Sequence, residues 1–184
     1  TVLEGLDAAV EAGFSPLKLN VVVLRGVNDA ELESLVDFAV SRGAVVRFIE
    51  FMPFVHGAEW KRYYIPKAEM LALLSARVYP QPLNASGSEP ATYYRLRDGR
   101  GVVGLISPIS GSFCARCNRL RLTADGFLRP CLFREGEVEL KGALRAGVSD
   151  AEIAGLIRRA VAGKPEEGTS RLPEGARSKR EIRG

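Results

Sequence analysis

Hydrophobic positions in the first 51 residues follow two alternating patterns. Apolar residues recur at helical spacing over residues 2–10 and 32–40, and near-continuous apolar runs occupy residues 17–24 and 45–51. Amphipathic helices that alternate with mainly apolar strands are typical of α/β units on a parallel sheet. Because a near-continuous apolar run suits a parallel strand covered on both faces, we expect residues 17–24, with the lone charge of Lys18, to be buried.

The second half of the chain predicts shorter elements separated by turns. A short helix is expected at residues 67–74, and Pro, Ser, Gly and Asn are concentrated at residues 81–90, as in a surface connection. Strands of two hairpins are predicted at residues 93–96, 102–106, 119–123 and 127–132. Two further helices at residues 140–144 and 151–161 complete the pattern of a small α+β unit.

These patterns divide the chain at a proposed linker. We assign residues 1–80 to the α/β part, residues 81–91 to the linker and residues 92–163 to the α+β unit. From Lys164 onward the hydrophobic periodicity disappears. Residues 164–184 are therefore predicted to form a mobile, basic tail.

The composition is that of a globular protein. The 184 residues are 46% hydrophobic and 26% charged, which excludes a disordered or collagen-like chain. No run of about 18 uncharged apolar residues occurs, so no membrane-spanning helix is predicted. The formal net charge of +4 is a mild excess that favours anionic partners. The stretch of residues 116–134 contains a single acid, Asp125. Its five arginines are Arg116, Arg119, Arg121, Arg129 and Arg134.

All three cysteines lie in the same stretch as these arginines. Cys114 and Cys117 are separated by two residues, a spacing at which both sulfurs can bind one metal centre, and the predicted hairpin can return Cys131 to them. An odd number cannot be consumed by internal disulfides, which favours a reducing compartment and a metal. Buried free thiols and a zinc ribbon are the alternatives. The single histidine, His56, lies in another segment, so a zinc site would lack its fourth ligand, whereas an iron–sulfur cluster or a catalytic metal can keep one position open.

Two of the arginines indicate a phosphate site. Arg119 and Arg121 alternate onto one face of the predicted strand, and paired guanidinium groups bind the oxygens of a phosphate chain well. In the alternative interpretation, one arginine pairs with Asp125 or Glu135 and the others are solvated. The sharper hypothesis is a polyphosphate site beside an open metal position.

With these residues described, the sequence resembles the molybdenum cofactor biosynthesis protein A family, the radical S-adenosylmethionine (SAM) GTP cyclases. The resemblance is carried by residues 110–126, which include Cys-Ala-Arg-Cys-Asn-Arg-Leu-Arg-Leu-Thr-Ala-Asp-Gly, and by the Arg-Pro-Cys-Leu-Phe of residues 129–133. Further matching stretches begin at Lys18, Arg25, Arg47 and Gly104. The resemblance covers nearly the whole chain, from Thr1 to about Lys164.

This resemblance implies a fold and a set of ligands. Residues 1–80 would be the last units of a partial parallel, TIM-like barrel, and residues 92–163 a small α+β iron–sulfur cluster domain. A 4Fe–4S cluster, whose open iron holds GTP in the family, would be bound by Cys114, Cys117 and Cys131. GTP would be bound by Lys18, Arg119, Leu120 and Arg121. The SAM pocket would be lined by Met52 and Arg47.

The implied activity is that of a lyase, which converts GTP to 3′,8-cyclo-7,8-dihydro-GTP in molybdenum cofactor biosynthesis. The family also uses a first cluster with a CxxxCxxC motif that these 184 residues do not contain, so the isolated chain is predicted not to cleave SAM. The family tends to end on two glycines, whereas the last residues here are Arg183 and Gly184. A cytoplasmic homodimer that acts before a pterin-forming enzyme is implied, without nucleic-acid or membrane partners. The rival hypothesis is a zinc-stapled module that binds nucleic acid or protein.

Overall fold

The structure is a computed structural model that describes residues 1–53, 59–83, 89–111, 113–133 and 137–166. The chain forms two compact units, one covering residues 1–111 and the other the remaining residues. Each unit has its own cluster of buried hydrophobic side chains. Among the described residues, no helix is both long enough and apolar enough to cross a membrane.

The first unit combines short helices with strands of five or six residues. Its helices are α1 (Val2–Glu11), α2 (Leu32–Ser41), α3 (Trp60–Tyr63) and α4 (Lys67–Leu73). Its strands are β1 (Lys18–Val23), β2 (Val45–Glu50), β3 (Val78–Pro82), β4 (Ala91–Leu96) and β5 (Val102–Ile106). The sequence pattern predicts all of these except α3 and β3. Strand β3 contains Pro80 and Pro82, which are depleted in strands and are tolerated here because β3 is an edge strand.

These strands form one sheet in the order β1-β2-β5-β4-β3. β1, β2 and β5 run parallel, and β4 and β3 continue the sheet in antiparallel orientation. The expected α/β class is thus confirmed, with a mixed sheet of which β1, β2 and β5 form the parallel part. The β4–β5 hairpin, which the sequence pattern places with the later α+β unit, belongs to this sheet. In the described part of the chain β1 and β3 are the two edges, so the sheet does not close into a barrel there.

One face of the sheet carries the hydrophobic core. Val46 and Phe48 of β2 and Leu105 of β5 are buried on this face, together with Val36 of α2 and Met70 of α4. Because side chains alternate between the faces of a strand, the residues between these positions project from the opposite face.

The prediction that residues 17–24 are buried on both faces is wrong. In β1 only Val23 is buried, while Lys18, Asn20 and Val22 are exposed. β1 is the outer strand of the sheet and, within the described residues, has only β2 as a strand neighbour. Helix α1 likewise buries none of its residues. An apolar run makes a strand suitable for burial, but the neighbouring elements decide whether it is buried.

The second unit is a small antiparallel sheet with two helices. Its strands, in sheet order, are β6 (Arg121–Leu122), β7 (Phe127–Arg129) and β8 (Val138–Glu139). Its helices are α5 (Lys141–Arg145) and α6 (Asp150–Ala162). Leu128, Leu140 and Ala160 form its buried cluster.

The hairpin predicted around Asp125 is confirmed, although its strands are shorter than predicted. The Thr123 hydroxyl donates to the Asp125 carboxylate, and Gly126 completes the turn at a φ of +90°. A Cβ at Gly126 would collide with the Cβ of Lys141, so both the backbone angle and the space require glycine. The predicted first strand contracts to two residues, which leaves Arg119 in irregular backbone before it.

Helix α6 begins and ends as the sequence predicts. The Ser149 hydroxyl accepts from the Glu152 N–H, and the Glu152 carboxylate accepts from the Ser149 N–H at 2.9 Å, which is a capping box. Gly163 follows as the C-terminal cap. The chain is described for three residues beyond it, so the rest of the predicted mobile tail, residues 167–184, lies outside the described residues.

Candidate functional site

The three cysteines lie on two segments that the β6–β7 hairpin joins. Cys114 opens a 3-10 turn (Cys114–Arg116), and the Cys117 N–H donates to the Cys114 carbonyl oxygen at 3.1 Å. Cys131 follows the last residue of β7 by two positions. All three side chains are half-buried, and none of them forms a disulfide.

Two of the sulfurs have polar neighbours, and those of Cys117 favour its thiolate. The Phe133 N–H donates to the Cys131 Sγ at 3.4 Å. Burial raises the pKa of Cys117, but the Arg119 N–H and the Lys164 ammonium outweigh it, so this pKa lies below that of an ordinary thiol. The thiolate is the form of cysteine that binds metals.

Lys164 is a member of this site that the sequence pattern does not reveal. Its ammonium donates to the carbonyl oxygens of Arg119 at 2.7 Å and Pro130 at 3.1 Å. It therefore links the segment that carries Cys117 to the segment that carries Cys131. Because hydrophobic periodicity ends at Lys164, the sequence predicts a mobile tail from this residue onward. Periodicity reports only local structure, so it does not show the contacts of Lys164 with distant segments. The one signal for an ordered lysine is the helix stop at Gly163, which fixes the residue that follows it.

The donor set fits an iron–sulfur centre, although the sulfurs are not gathered. Thiolates are the ligands that iron–sulfur clusters use. In the described ranges, no three Cys, His, Asp or Glu side chains lie close enough to share a metal ion. A cluster bound at these cysteines would bring the sulfurs together as it forms, which is the usual coupling of metal binding to local folding.

The strand predicted to carry Arg119 and Arg121 is shorter than expected, because only Arg121 belongs to β6 and Arg119 lies just before it. Burial still alternates along this stretch, with both arginines half-buried and Leu120 between them exposed, as expected for two side chains on one face. The Arg119 guanidinium lies 5.8 Å from the centroid of the Phe113 ring, a cation–π contact. Leu120 between the two arginines is 36% exposed.

The Arg121 side chain makes no hydrogen bond or ion pair within the part of the chain that the structure describes. It lies directly opposite Arg129 in the hairpin. The Arg129 charge is compensated by Glu137, whose carboxylate accepts from the Arg129 Nε at 2.8 Å. Of the two acids considered as partners of these arginines, Asp125 accepts a hydrogen bond from the Thr123 hydroxyl. Glu135 lies outside the described residues. Arg121 is thus a half-buried cation beside a second guanidinium, which favours an anion.

A polar row crosses the first unit's sheet on the face opposite the core. Asn20, Arg47, Gly104 and Tyr93 are successive partners in the register of β1, β2, β5 and β4. The Arg47 Nε donates to the Asn20 Oδ1 at 2.8 Å. A Cβ at Gly104 would lie 2.8 Å from the Arg47 Cγ and 3.1 Å from a Tyr93 ring carbon, so glycine lets both side chains cross β5.

Lys18 and Arg47 meet at the carboxylate of Glu89. The Glu89 Oε1 lies 2.9 Å from the Lys18 Nζ and 3.7 Å from the Arg47 Nη1, and it accepts from the Tyr93 hydroxyl at 2.9 Å. The hydrogen bond from Lys18 is the main cause that holds the pKa of Glu89 below its usual range. The resemblance assigns Lys18 to GTP and Arg47 to SAM, but in this structure both cations contact the Glu89 carboxylate. The sequence pattern places Glu89 in the linker.

Met52 lies two residues beyond the end of β2 and is half-buried. Ligands of open α/β sheets bind outside the carboxyl ends of parallel strands, and Met52 follows such an end. His56 and the pair Arg183 and Gly184 lie outside the described residues.

Glu50 is a fully buried acid at the end of β2. Its Oε1 accepts from the Lys67 N–H at 2.9 Å and from the Ser110 hydroxyl. Its Oε2 accepts from the N–H groups of Ile109 at 2.8 Å and Ser110 at 3.0 Å. Burial and the negative charge of Glu50 raise the pKa of Tyr64 to about 12. Glu50 thus anchors the backbone that follows β5.

Comparison with known proteins gives one family. Residues 44–170 match the family described as Molybdenum Cofactor Synthesis C. A GTP 3′,8-cyclase of Moorella thermoacetica is 47% identical over 169 residues, which are 91% of this chain and 52% of the relative. GTP 3′,8-cyclases of Pelotomaculum thermopropionicum and Thermodesulfovibrio yellowstonii are 44% and 43% identical, over 97% and 90% of this chain.

The chain spans about half the length of these curated relatives. The family match, however, covers well over half of the chain and contains all three cysteines, and the resemblance to the GTP cyclases inferred from the sequence is confirmed. This protein belongs to the Molybdenum Cofactor Synthesis C family.

Proposed function

We propose that these residues form the C-terminal, nucleotide-binding part of a GTP 3′,8-cyclase of molybdenum cofactor biosynthesis. The observation that carries the proposal is one hairpin with Cys117 before it, Cys131 after it and the uncompensated Arg121 on its first strand. The substrate and the lyase reaction come from the relatives that bear the name of this enzyme.

Cys114, Cys117 and Cys131 are the residues that would hold a 4Fe–4S cluster. Bound by three thiolates, such a cluster supplies an iron with one position open to a substrate atom. The chain presents the thiolates from half-buried positions and lowers the pKa of Cys117. Because these are all the cysteines of the 184 residues, we assign SAM cleavage to a part of the enzyme that these residues do not include.

Phosphate binding is assigned to Arg119 and Arg121, and Leu120 between them is assigned as a further GTP contact. Arg121 lies opposite Arg129, whose charge Glu137 compensates, so among the described residues Arg121 is the arginine of this pair without an acid, and an anionic chain would supply its counter-charge. Leu120 between the two arginines is exposed, so a ligand can reach it.

In the first unit, Lys18 is proposed as a further GTP contact, and Arg47 with Met52 as SAM contacts. Glu89 compensates both cations in this structure. An anionic ligand would displace the Glu89 carboxylate from Lys18 and Arg47. Both cations would then have a negatively charged partner before and after the ligand binds.

Anaerobic reconstitution with iron and sulfide tests the cluster. We expect about four irons and four sulfides per chain, as for a 4Fe–4S cluster. Zinc in a one-to-one ratio without sulfide would overturn the proposal and would favour the zinc-stapled binding module instead. A parallel sample reconstituted with zinc alone shows how much zinc each chain binds under the same conditions.

Replacing Arg121 by alanine should weaken GTP binding about 10- to 100-fold, because a charge-assisted hydrogen bond to phosphate is lost. Arg119→Ala should have an effect of similar size. The measurement is the GTP affinity of the reconstituted protein by titration calorimetry, with GMP as the ligand that lacks the outer phosphates.

The matched control is Arg158→Ala, which removes the same charge from an exposed position on α6. Its GTP affinity should equal that of the wild type, and all three variants should retain the iron of the wild type. Equal affinities of the wild type for GTP and GMP would mean that the arginines are only solvated. An effect of Arg158→Ala as large as that of Arg121→Ala would lead to the same conclusion.

A further inference from the structure

Helix α6 places Lys164 in a fixed position. Ala160 near the end of the helix is 2% exposed and packs in the same buried cluster as Leu128 of β7. After the cap residue Gly163, the Lys164 N–H donates to the Val161 carbonyl oxygen at 3.0 Å. The backbone of Lys164 is therefore held by the core of the second unit.

The Lys164 ammonium joins the two cysteine segments. Its acceptors are the carbonyl oxygen of Arg119, two residues after Cys117, and that of the buried Pro130, which immediately precedes Cys131. Within the described residues it forms no ion pair with an acid, so its charge is available to this site.

From these contacts we infer that Lys164 is a positioning residue of the cluster. It joins the backbone segments of Cys117 and Cys131, which would bind the iron, and it places a positive charge between these two segments. The inference rests on the proposed function, since it needs a cluster at these cysteines. Groups that orient metal ligands in this way are commonly worth about 10- to 100-fold in metal affinity.

The positive charge has a second, independent consequence. Reduction adds negative charge to a cluster, so a nearby ammonium favours the reduced state. Loss of Lys164 should therefore lower the reduction potential of the cluster, which a purely structural role in packing the unit would not do.

The experiment compares Lys164→Met with the wild type after anaerobic reconstitution. Methionine keeps the length of the side chain but has neither the charge nor the donors. We expect iron to pass to a colorimetric chelator about 10- to 100-fold faster, and the midpoint potential from a redox titration followed by electron paramagnetic resonance to fall. Lys164→Arg, which keeps the charge and the donors, should recover most of both properties.

The matched control is Arg158→Met, which removes one positive charge from an exposed position on the same helix and should behave as the wild type. Iron release and a potential in Lys164→Met that equal those of Arg158→Met would overturn the inference and leave the cluster proposal intact. A wild type that takes up no iron and sulfide would overturn the proposed function, and this inference with it.

A second variant covers the case in which Lys164→Met does not fold. Lys164→Gln keeps a donor for the two carbonyl oxygens but has no charge. With this variant, a lower potential supports the inference, and an unchanged potential together with unchanged iron release overturns it.

Discussion

Cys117→Ala should leave fewer than one iron per chain after anaerobic reconstitution, against about four in the wild type. Two remaining thiolates do not hold a cluster that three protein ligands bind, and Cys117 is the cysteine whose pKa its neighbours lower. Cys114→Ala and Cys131→Ala should give the same result. Iron and sulfide analysis together with the visible absorbance of the cluster measures the effect.

Loss of the cluster must be separated from loss of the fold. Because Cys117 is only half-buried, the metal-free variant should have the far-ultraviolet circular dichroism spectrum and the melting temperature of the metal-free wild type. Ala115, an exposed residue of the same 3-10 turn, offers the control Ala115→Ser, which should keep its four irons. Full iron and sulfide content in Cys117→Ala would contradict the ligand assignment.

The local parts of the candidate site could be predicted from the sequence. Cys114 and Cys117 are fixed relative to each other by a single turn, and the Thr123, Asp125 and Gly126 turn sets the hairpin that leads to Cys131. The strand that carries the arginines could not be predicted as well. Short strands end where their neighbours end, so β6 begins only at Arg121 and Arg119 lies just before it, although both arginines remain half-buried with the exposed Leu120 between them.

The parts that depend on distant contacts could not be predicted. Lys164 reaches the cysteine segments over 45 and 34 residues of sequence, without any periodic pattern. The row of Asn20, Arg47 and Tyr93 arises only because β5 inserts between β2 and β4, which is a matter of strand order. Glu89 joins this row from a stretch whose composition indicates only a surface connection. Each of these residues is visible in the sequence, but its partner is not.

Glu50 is the residue at which a substitution should destabilise the first unit most. In the sequence it is one polar position at the end of an apolar strand. In the structure it is 0% exposed and satisfies three backbone N–H groups and one hydroxyl from two other segments. Buried donors that lose their acceptor cost about 1–3 kcal/mol each, because no water replaces it.

Glu50→Ala should therefore lower the free energy of unfolding of the first unit by roughly 3–5 kcal/mol, and Glu50→Gln, which keeps one oxygen acceptor, by less. Urea unfolding followed by tryptophan fluorescence measures this directly, since the single tryptophan, Trp60, lies in this unit with its ring centroid 5.0 Å from that of Tyr64. Glu11→Ala, an exposed acid at the end of α1, is the matched control and should stay within about 0.5 kcal/mol of the wild type. If Glu50→Ala unfolds at the same urea concentration as Glu11→Ala, the backbone after β5 does not depend on this carboxylate.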